Sequence, residues 1–245
     1  MAKKQTSRST LGVRMRGALA ELYGQRGRGN AHLWFFYSDK GRDDFVVPTD
    51  LQYGHALFVE SEPRIKSVSF RPPLRRVGGE GASTIFHAEA TCFDGSIELH
   101  EVKPWASLNQ SVDAHAKREV DIQLETDAFK RERGVDVRHV LMTERDIYAS
   151  PGRIRSWFVA LPWIAQARYH SLLQPSNEVA TLVHARERVS LGHLLDAGGP
   201  LYVAAALRFI ANGRFASDLD TVLFSRRTIV EDKRRRGRST QPRTA

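Results

Sequence analysis

The sequence predicts an α/β fold, a mixed sheet flanked by helices, followed by a small α+β module, and three features predict it. Short runs with the composition of strands, such as residues 32–38 (HLWFFYS) and 135–143 (VDVRHVLMT), are interspersed with longer stretches of helical periodicity, as in sheets covered by helices. Ala149, Ser150, Pro151 and Gly152 interrupt this pattern late in the chain, where a boundary between two units is expected. Beyond them, short helical segments precede a glycine-opened hairpin.

From the N-terminus, residues 9–23 have weak helical periodicity, and residues 24–30 (GQRGRGN) read as a basic loop. The aromatic strand 32–38 pairs with 43–47 across a Lys40-Gly41 turn. Thr49 or Asp50 caps a helix running to about Ser61, with Leu51, Gly54, His55 and Phe58 on one face, and Pro63 ends it. In the strand 64–70, alternation sets Ile65, Ser67 and Ser69 against Lys66, Val68 and Phe70, and Pro72 and Pro73 stop it. Residues 84–92 and 96–103 form a hairpin around Phe93, Asp94 and Gly95. A long polar helix runs over 108–133 and Gly134 terminates it; 135–143 is apolar enough to be a central strand, and 144–148 turns into a short helix.

In the second unit, 154–173 is helical with an interruption before Pro162, and Gln174 to Ser176 cap the next helix. Helices are expected over 178–188, 191–197 and 200–212, with Gly213 opening a hairpin through Phe215 and Leu219 to Val222 and Phe224. Helix, helix, helix and wing is a winged-helix-like order. The chain therefore divides into a basic arm (1–30), a first domain (31–150), a winged-helix-like domain (151–230) and a basic tail (231–245).

Charge narrows the function. The formal net charge of +9 is concentrated at the two ends, with Arg26 and Arg28 before the first strand and Lys233, Arg234, Arg235 and Arg236 at the close. Such arms displace counterions from a polyphosphate, which points to nucleic acid. Arg208 and Arg214, in and after the last helix, are further candidates, although a winged helix serves protein docking as readily as DNA contact. No apolar run approaches the roughly 20 residues of a membrane span, and no apolar segment follows the first lysines, so no membrane is expected and the cytosol is. With Cys92 alone there is no internal disulfide and no thiolate metal cluster. No phosphate-binding glycine loop is present, so ATP use would belong to a partner. Histidines 32, 55, 100, 115, 139, 170, 184 and 193 show no paired ligand spacing and read as structural or surface residues.

Chemistry concentrates in Glu101-Val102-Lys103-Pro104, at the end of a strand whose partner carries Glu89. Alternation puts Ile97, Leu99, Glu101 and Lys103 on one face, so the apolar end joins the core while the carboxylate and ammonium project at the edge. That suits phosphodiester hydrolysis with magnesium held by carboxylates, the lysine stabilising the developing charge. A two-residue turn would send Glu89 to the opposite face; a three-residue loop with Gly95 left-handed brings it to Glu101's face, and His87 shares its parity and competes for the second ligand position.

The helix and strand of residues 50–74 (DLQYGHALFVESEPRIKSVSFRPPL), the Glu89 strand, HEVKP, the long charged helix and HVLMTERDI occur in the order of the TnsA-like transposon endonucleases, which the chain resembles over residues 25–150. The resemblance implies the restriction-endonuclease-like fold of the PD-(D/E)xK superfamily. It implies Glu89 and Glu101 as ligands of Mg2+ or Mn2+ and Lys103 as the catalytic lysine, with Gln52 standing where the family has a glutamate. It further implies a bacterial, nucleoid-associated subunit that nicks double-stranded DNA at transposon ends, with a DDE-type transposase subunit and an AAA+ regulator as partners. A neutral amide keeps the size of the glutamate but loses its charge. Should Gln52 have abolished cutting, the fold would persist as a DNA-binding or assembly subunit of the same machinery.

Overall fold

The computed structural model describes residues 32–70, 86–108 and 112–233, with the side chains of residues 112–117 excepted. The expectations for residues 9–30, Arg26 and Arg28 among them, for Pro72 and Pro73, and for Arg234, Arg235 and Arg236 lie outside the described residues. The fold is α/β, with a mixed sheet flanked by helices. Strands β1 (Trp34–Ser38) and β2 (Asp43–Val47) form an antiparallel hairpin, and helix α1 (Asp50–Ser61) comes next. Thr49 is its N-cap, its hydroxyl accepting from Gln52 N at 3.1 Å and satisfying one of the free N–H groups of the first turn.

The main sheet has the order β3-β4-β5-β6, from β3 (Ile65–Ser69), β4 (Ala88–Cys92), β5 (Ile97–Val102) and β6 (Val137–Met142). The first three are antiparallel, and β6 lies parallel to β5 because helix α2 (Val112–Arg133) carries the chain back across the sheet. A register shift between Ile65 and Ser67 breaks the expected alternation of β3, so Ile65 and Val68 share one core cluster. β6 is not central as expected: among the described strands it lies at one edge of the sheet, with β3 at the other, and Leu141 is 39% exposed there. The central strand is β5, buried at every residue although half of them are Glu98, His100 and Glu101. Its two faces are covered differently. His100 meets His55 of α1, while Ile97 and Leu99 pack with Phe129 of α2, Val137 and Phe86.

Helix α3 (Glu144–Ile147) is capped reciprocally by Thr143 and Asp146, and α4 (Pro151–Gln166) packs on α1 and β1. The expected interruption before Pro162 is absent. Proline removes a backbone donor and costs about 3 kcal/mol in a helix interior, but Trp157, Leu161 and Ile164 are buried on both sides of it and keep the helix continuous. Helix α5 (Leu173–Arg186) begins at Leu173, so Gln174 to Ser176 lie inside its first turn and no side chain caps it. After β7 (Arg188–Ser190), helix α6 (Leu191–Ala211) is two helices joined at Gly199, whose φ of +70° only glycine adopts freely.

The closing hairpin pairs β8 (Phe215–Ser217) with β9 (Ile229–Asp232), not with residues 219–224 as expected, and β7 joins on the other side of β9. The intervening residues form bends because Asp218 organises them. Its carbonyl accepts from Thr221 N and Val222 N, and its carboxylate takes Ile229 N at 2.9 Å. One cluster of buried side chains runs from Phe36 and Leu57 through Trp157 and Leu161 to Leu207 and Val230. Helix α6 is long and apolar enough by composition to cross a membrane, but it is broken at Gly199, and Leu194, Val203, Leu207 and Ile210 account for its apolarity in that core.

Candidate active site

The end of β5 positions Glu101 and Lys103. Four consecutive register pairs with β4 fix the strand, and the hairpin closes through the three residues Phe93, Asp94 and Gly95, with Gly95 at φ +89°. This is the loop that places Glu89 on Glu101's face, opposite Leu99. Glu101 is 1% exposed and faces α2; Lys103 Nζ lies 3.3 Å from its Oε1. The same oxygen accepts from Arg118 of α2, and Oε2 takes His139 Nε2 of β6 at 3.1 Å. Together these side chains form the floor of a cleft of about 700 Å³ between α2 and the β5–β6 edge, with Lys130 and Arg138 also in its walls.

Glu89 does not complete this cluster. It stands opposite Leu99, two residues before Glu101 and so about 7 Å back along the strand. Its carboxylate lies 3.4 Å from Arg133, at the far end of α2. Gln52 sits one turn before His55 on α1, and its Oε1 is buried without a hydrogen-bond partner.

His87 is more closely integrated. Its N–H donates to His100 O at 2.7 Å and its Nδ1 accepts from Val102 N at 3.1 Å, which leaves the proton of the neutral ring on Nε2. Burial and the cations of Arg118 and Lys103 hold its pKa below the usual histidine range, and burial and Arg118 do the same to His139. Burial also lowers the pKa of Lys103.

On the opposite face of β5 the sequence reading missed a buried relay. Glu98 accepts from His100 Nε2 at 3.0 Å, so His100 Nδ1 is an acceptor and His55 Nε2 donates to it at 2.8 Å. Burial pushes the Glu98 carboxyl up, but the donors His100, Arg64 and Arg138 outweigh it and hold its pKa far below the ordinary carboxylate value. His55 and Arg118 carry no spacing signal, because each reaches its partner on β5 from another element, α1 or α2. Only the alternation of Glu98, His100 and Val102 opposite Leu99 and Glu101 hinted that β5 bears polar groups on both faces.

The basic residues singled out for nucleic acid divide. Arg208 is held by Asp39 at 2.6 Å with its side chain mostly covered, so it ties α6 to the β1–β2 turn and is not offered to a ligand. Arg214 is exposed and stacks on Phe209 with its guanidinium 4.5 Å from the ring centre, and Lys233 is exposed just past the end of β9. Helix α6 offers no basic reading face: Val203 to Leu207, Ile210 and Ala211 are buried.

No protein-family model matches the chain, and no curated protein matches it.

The donor set does not fit a resident Mg2+ or Mn2+ as it stands. Both oxygens of Glu101 are engaged, two of its partners are cations, and among the described residues no three His, Cys, Asp or Glu side chains gather about one point.

Proposed function

We propose that this chain is a DNA endonuclease subunit of a TnsA-like heteromeric transposase, nicking DNA at transposon ends with Mg2+ or Mn2+, on a restriction-endonuclease-like fold followed by a winged-helix-like domain. The observation that carries the reading is the meeting of Glu101 and Lys103 at 3.3 Å, at the end of the central strand and on the floor of a cleft whose walls carry Arg118, Lys130 and Arg138 as well as Glu119 and Asp127. The mixed sheet flanked by helices supports it, as does the order α4, α5, β7, α6, β8, β9 in the second unit. In this reading the cleft takes a phosphodiester. Lys103, with Arg118 beside it, places positive charge where phosphate oxygens gain negative charge during hydrolysis, and Glu101 orients both cations. The DDE-type transposase and AAA+ regulator would dock elsewhere on the surface.

A second reading is a non-cutting DNA-binding or assembly subunit of the same machinery, and it is favoured by Gln52 and by the pairing of Glu89 with Arg133. A nicking assay on transposon-end DNA with Mg2+ or Mn2+ and the transposase separates them. Cleavage that falls by roughly 100-fold or more in Lys103→Ala supports the enzyme. Wild-type protein that leaves DNA intact, with cutting restored by Gln52→Glu, selects the second reading.

A further inference from the structure

We infer that residues 9–23 of this chain dock as an amphipathic helix into an aromatic groove between β1 and α4, which closes the basic residues 24–30 into a loop tethered at both ends. The groove, of about 510 Å³, is lined by Phe35, Tyr53, Leu161, Pro162, Ala165 and Tyr169 among others. Phe35 is 49% and Tyr169 79% exposed, and Phe158, 48% exposed, extends the surface by meeting Tyr53 edge-on at 6.0 Å. Large apolar side chains gathered on one surface mark a place that a second apolar surface covers. Its charge disfavours nucleic acid as the occupant. Among the described residues the charged side chains of the lining are Asp44 and Arg168, and they pair with each other at 2.7 Å. A neutralised pair leaves no free cation to displace counterions from a phosphate backbone.

Position and pattern choose the occupant. The described chain begins at His32, three residues before Phe35, so the residues that precede it start beside the groove. The stretch 24–31 spans up to about 27 Å when extended, enough to bring Tyr23 anywhere along it. On a helix Leu11, Met15, Ala18, Leu19 and Leu22 share one side, with Arg14, Arg16 and Glu21 off it. That stripe is about 16 Å long from Leu11 to Leu22. The groove's α4 wall matches it, running about 17 Å from Phe158 through the 3-10 turn Ala167–Tyr169. The inference stands apart from the nuclease reading, since it concerns neither Glu101 nor its cleft.

Hydrogen–deuterium exchange of the full chain, read by mass spectrometry, tests this without DNA or cleavage. A helix of this length is marginal in water by itself, so slow exchange over residues 9–23 reports docking. In the wild type these amides exchange about tenfold or more slowly than in Phe35→Ser/Tyr169→Ser, which removes two exposed rings and leaves exchange over β5 and α6 as it was. Leu22→Cys/Tyr169→Cys, in a chain whose own Cys92 is buried, closes an intramolecular disulfide under mild oxidation. Residues 9–23 that exchange without protection in the wild type leave the groove to a separate protein and overturn the inference. Protection that survives loss of the two rings places the segment elsewhere and overturns it too. A disulfide that forms only between chains assigns the groove to a second copy, with the same consequence. If Phe35→Ser/Tyr169→Ser does not fold, the cross-link decides alone.

Discussion

Acidification should destabilise the protein through His55, by at most about 2 kcal/mol between pH ~7 and pH ~5. His55 is 1% exposed, and burial together with the charges of His100 and His87 holds its pKa well below 6.5. The unfolded chain takes up this proton near 6.5 while the folded chain resists it, so the stabilisation is complete above that value and is lost as the pH falls. A single proton cannot contribute more than about 1.4 kcal/mol per pH unit below the unfolded pKa, which sets the ceiling of about 2 kcal/mol at pH ~5. In a chain of this size that lowers Tm by at most roughly 4–8 °C. His87 and His139 have pKa values shifted in the same direction and steepen the total, so a variant must isolate His55. His55→Gln does so, because its amide nitrogen can still donate to His100 Nδ1. Urea titrations monitored by circular dichroism, run on both proteins across this range, should show the variant losing up to about 2 kcal/mol less. Equal losses in the two proteins would mean that His55 is not held neutral by its surroundings.

Named contacts set four further outcomes. Phe129→Ala empties the cluster that seats α2 on β5 and should cost about 3–5 kcal/mol in chemical denaturation. Arg208→Ala leaves the covered Asp39 without its cation and should cost about 2–4 kcal/mol, with DNA affinity in a gel-shift titration unchanged. Gly95→Ala meets no atom within 4 Å, so its cost, about 1 kcal/mol by thermal melting, comes from the backbone alone. On the nuclease reading, Lys103→Ala should cut nicking by about 100-fold or more in a protein that still melts cooperatively, since Arg118 stays on the buried Glu101 carboxylate.

The sequence narrowed the hairpin register to a two-residue or a three-residue loop, because a side chain's face on a strand is set by counting from a turn, and the structure chose the longer one. Three loop residues with a left-handed glycine put Glu89 on Glu101's face, and the pairs Glu89 with Leu99 and Ala88 with His100 agree. A cap at Thr49 or Asp50, Gly134 as the stop of α2 and the short helix after residue 143 were legible for the same reason, each being decided within a few residues; the structure selects Thr49. The continuation of α4 through Pro162 was not, because local propensity opposes it and burial of Trp157, Leu161 and Ile164 reverses the balance. Likewise β9 replaced residues 219–224 in the closing hairpin through the long-range bond from Ile229 to Asp218.

Short-range geometry controls most of the elements, the cap of α1, the parity of β4 and β5 and the adjacency of Glu101 and Lys103 on one face, and these were readable from the order of residues. The surroundings of that pair were set by packing. Arg118 comes from a helix that recrosses the sheet and His139 from a parallel neighbour, while Glu89, on the right face, is drawn to Arg133. A strand's pleat fixes where a side chain points within two residues, whereas the charge that meets it depends on how distant segments come together.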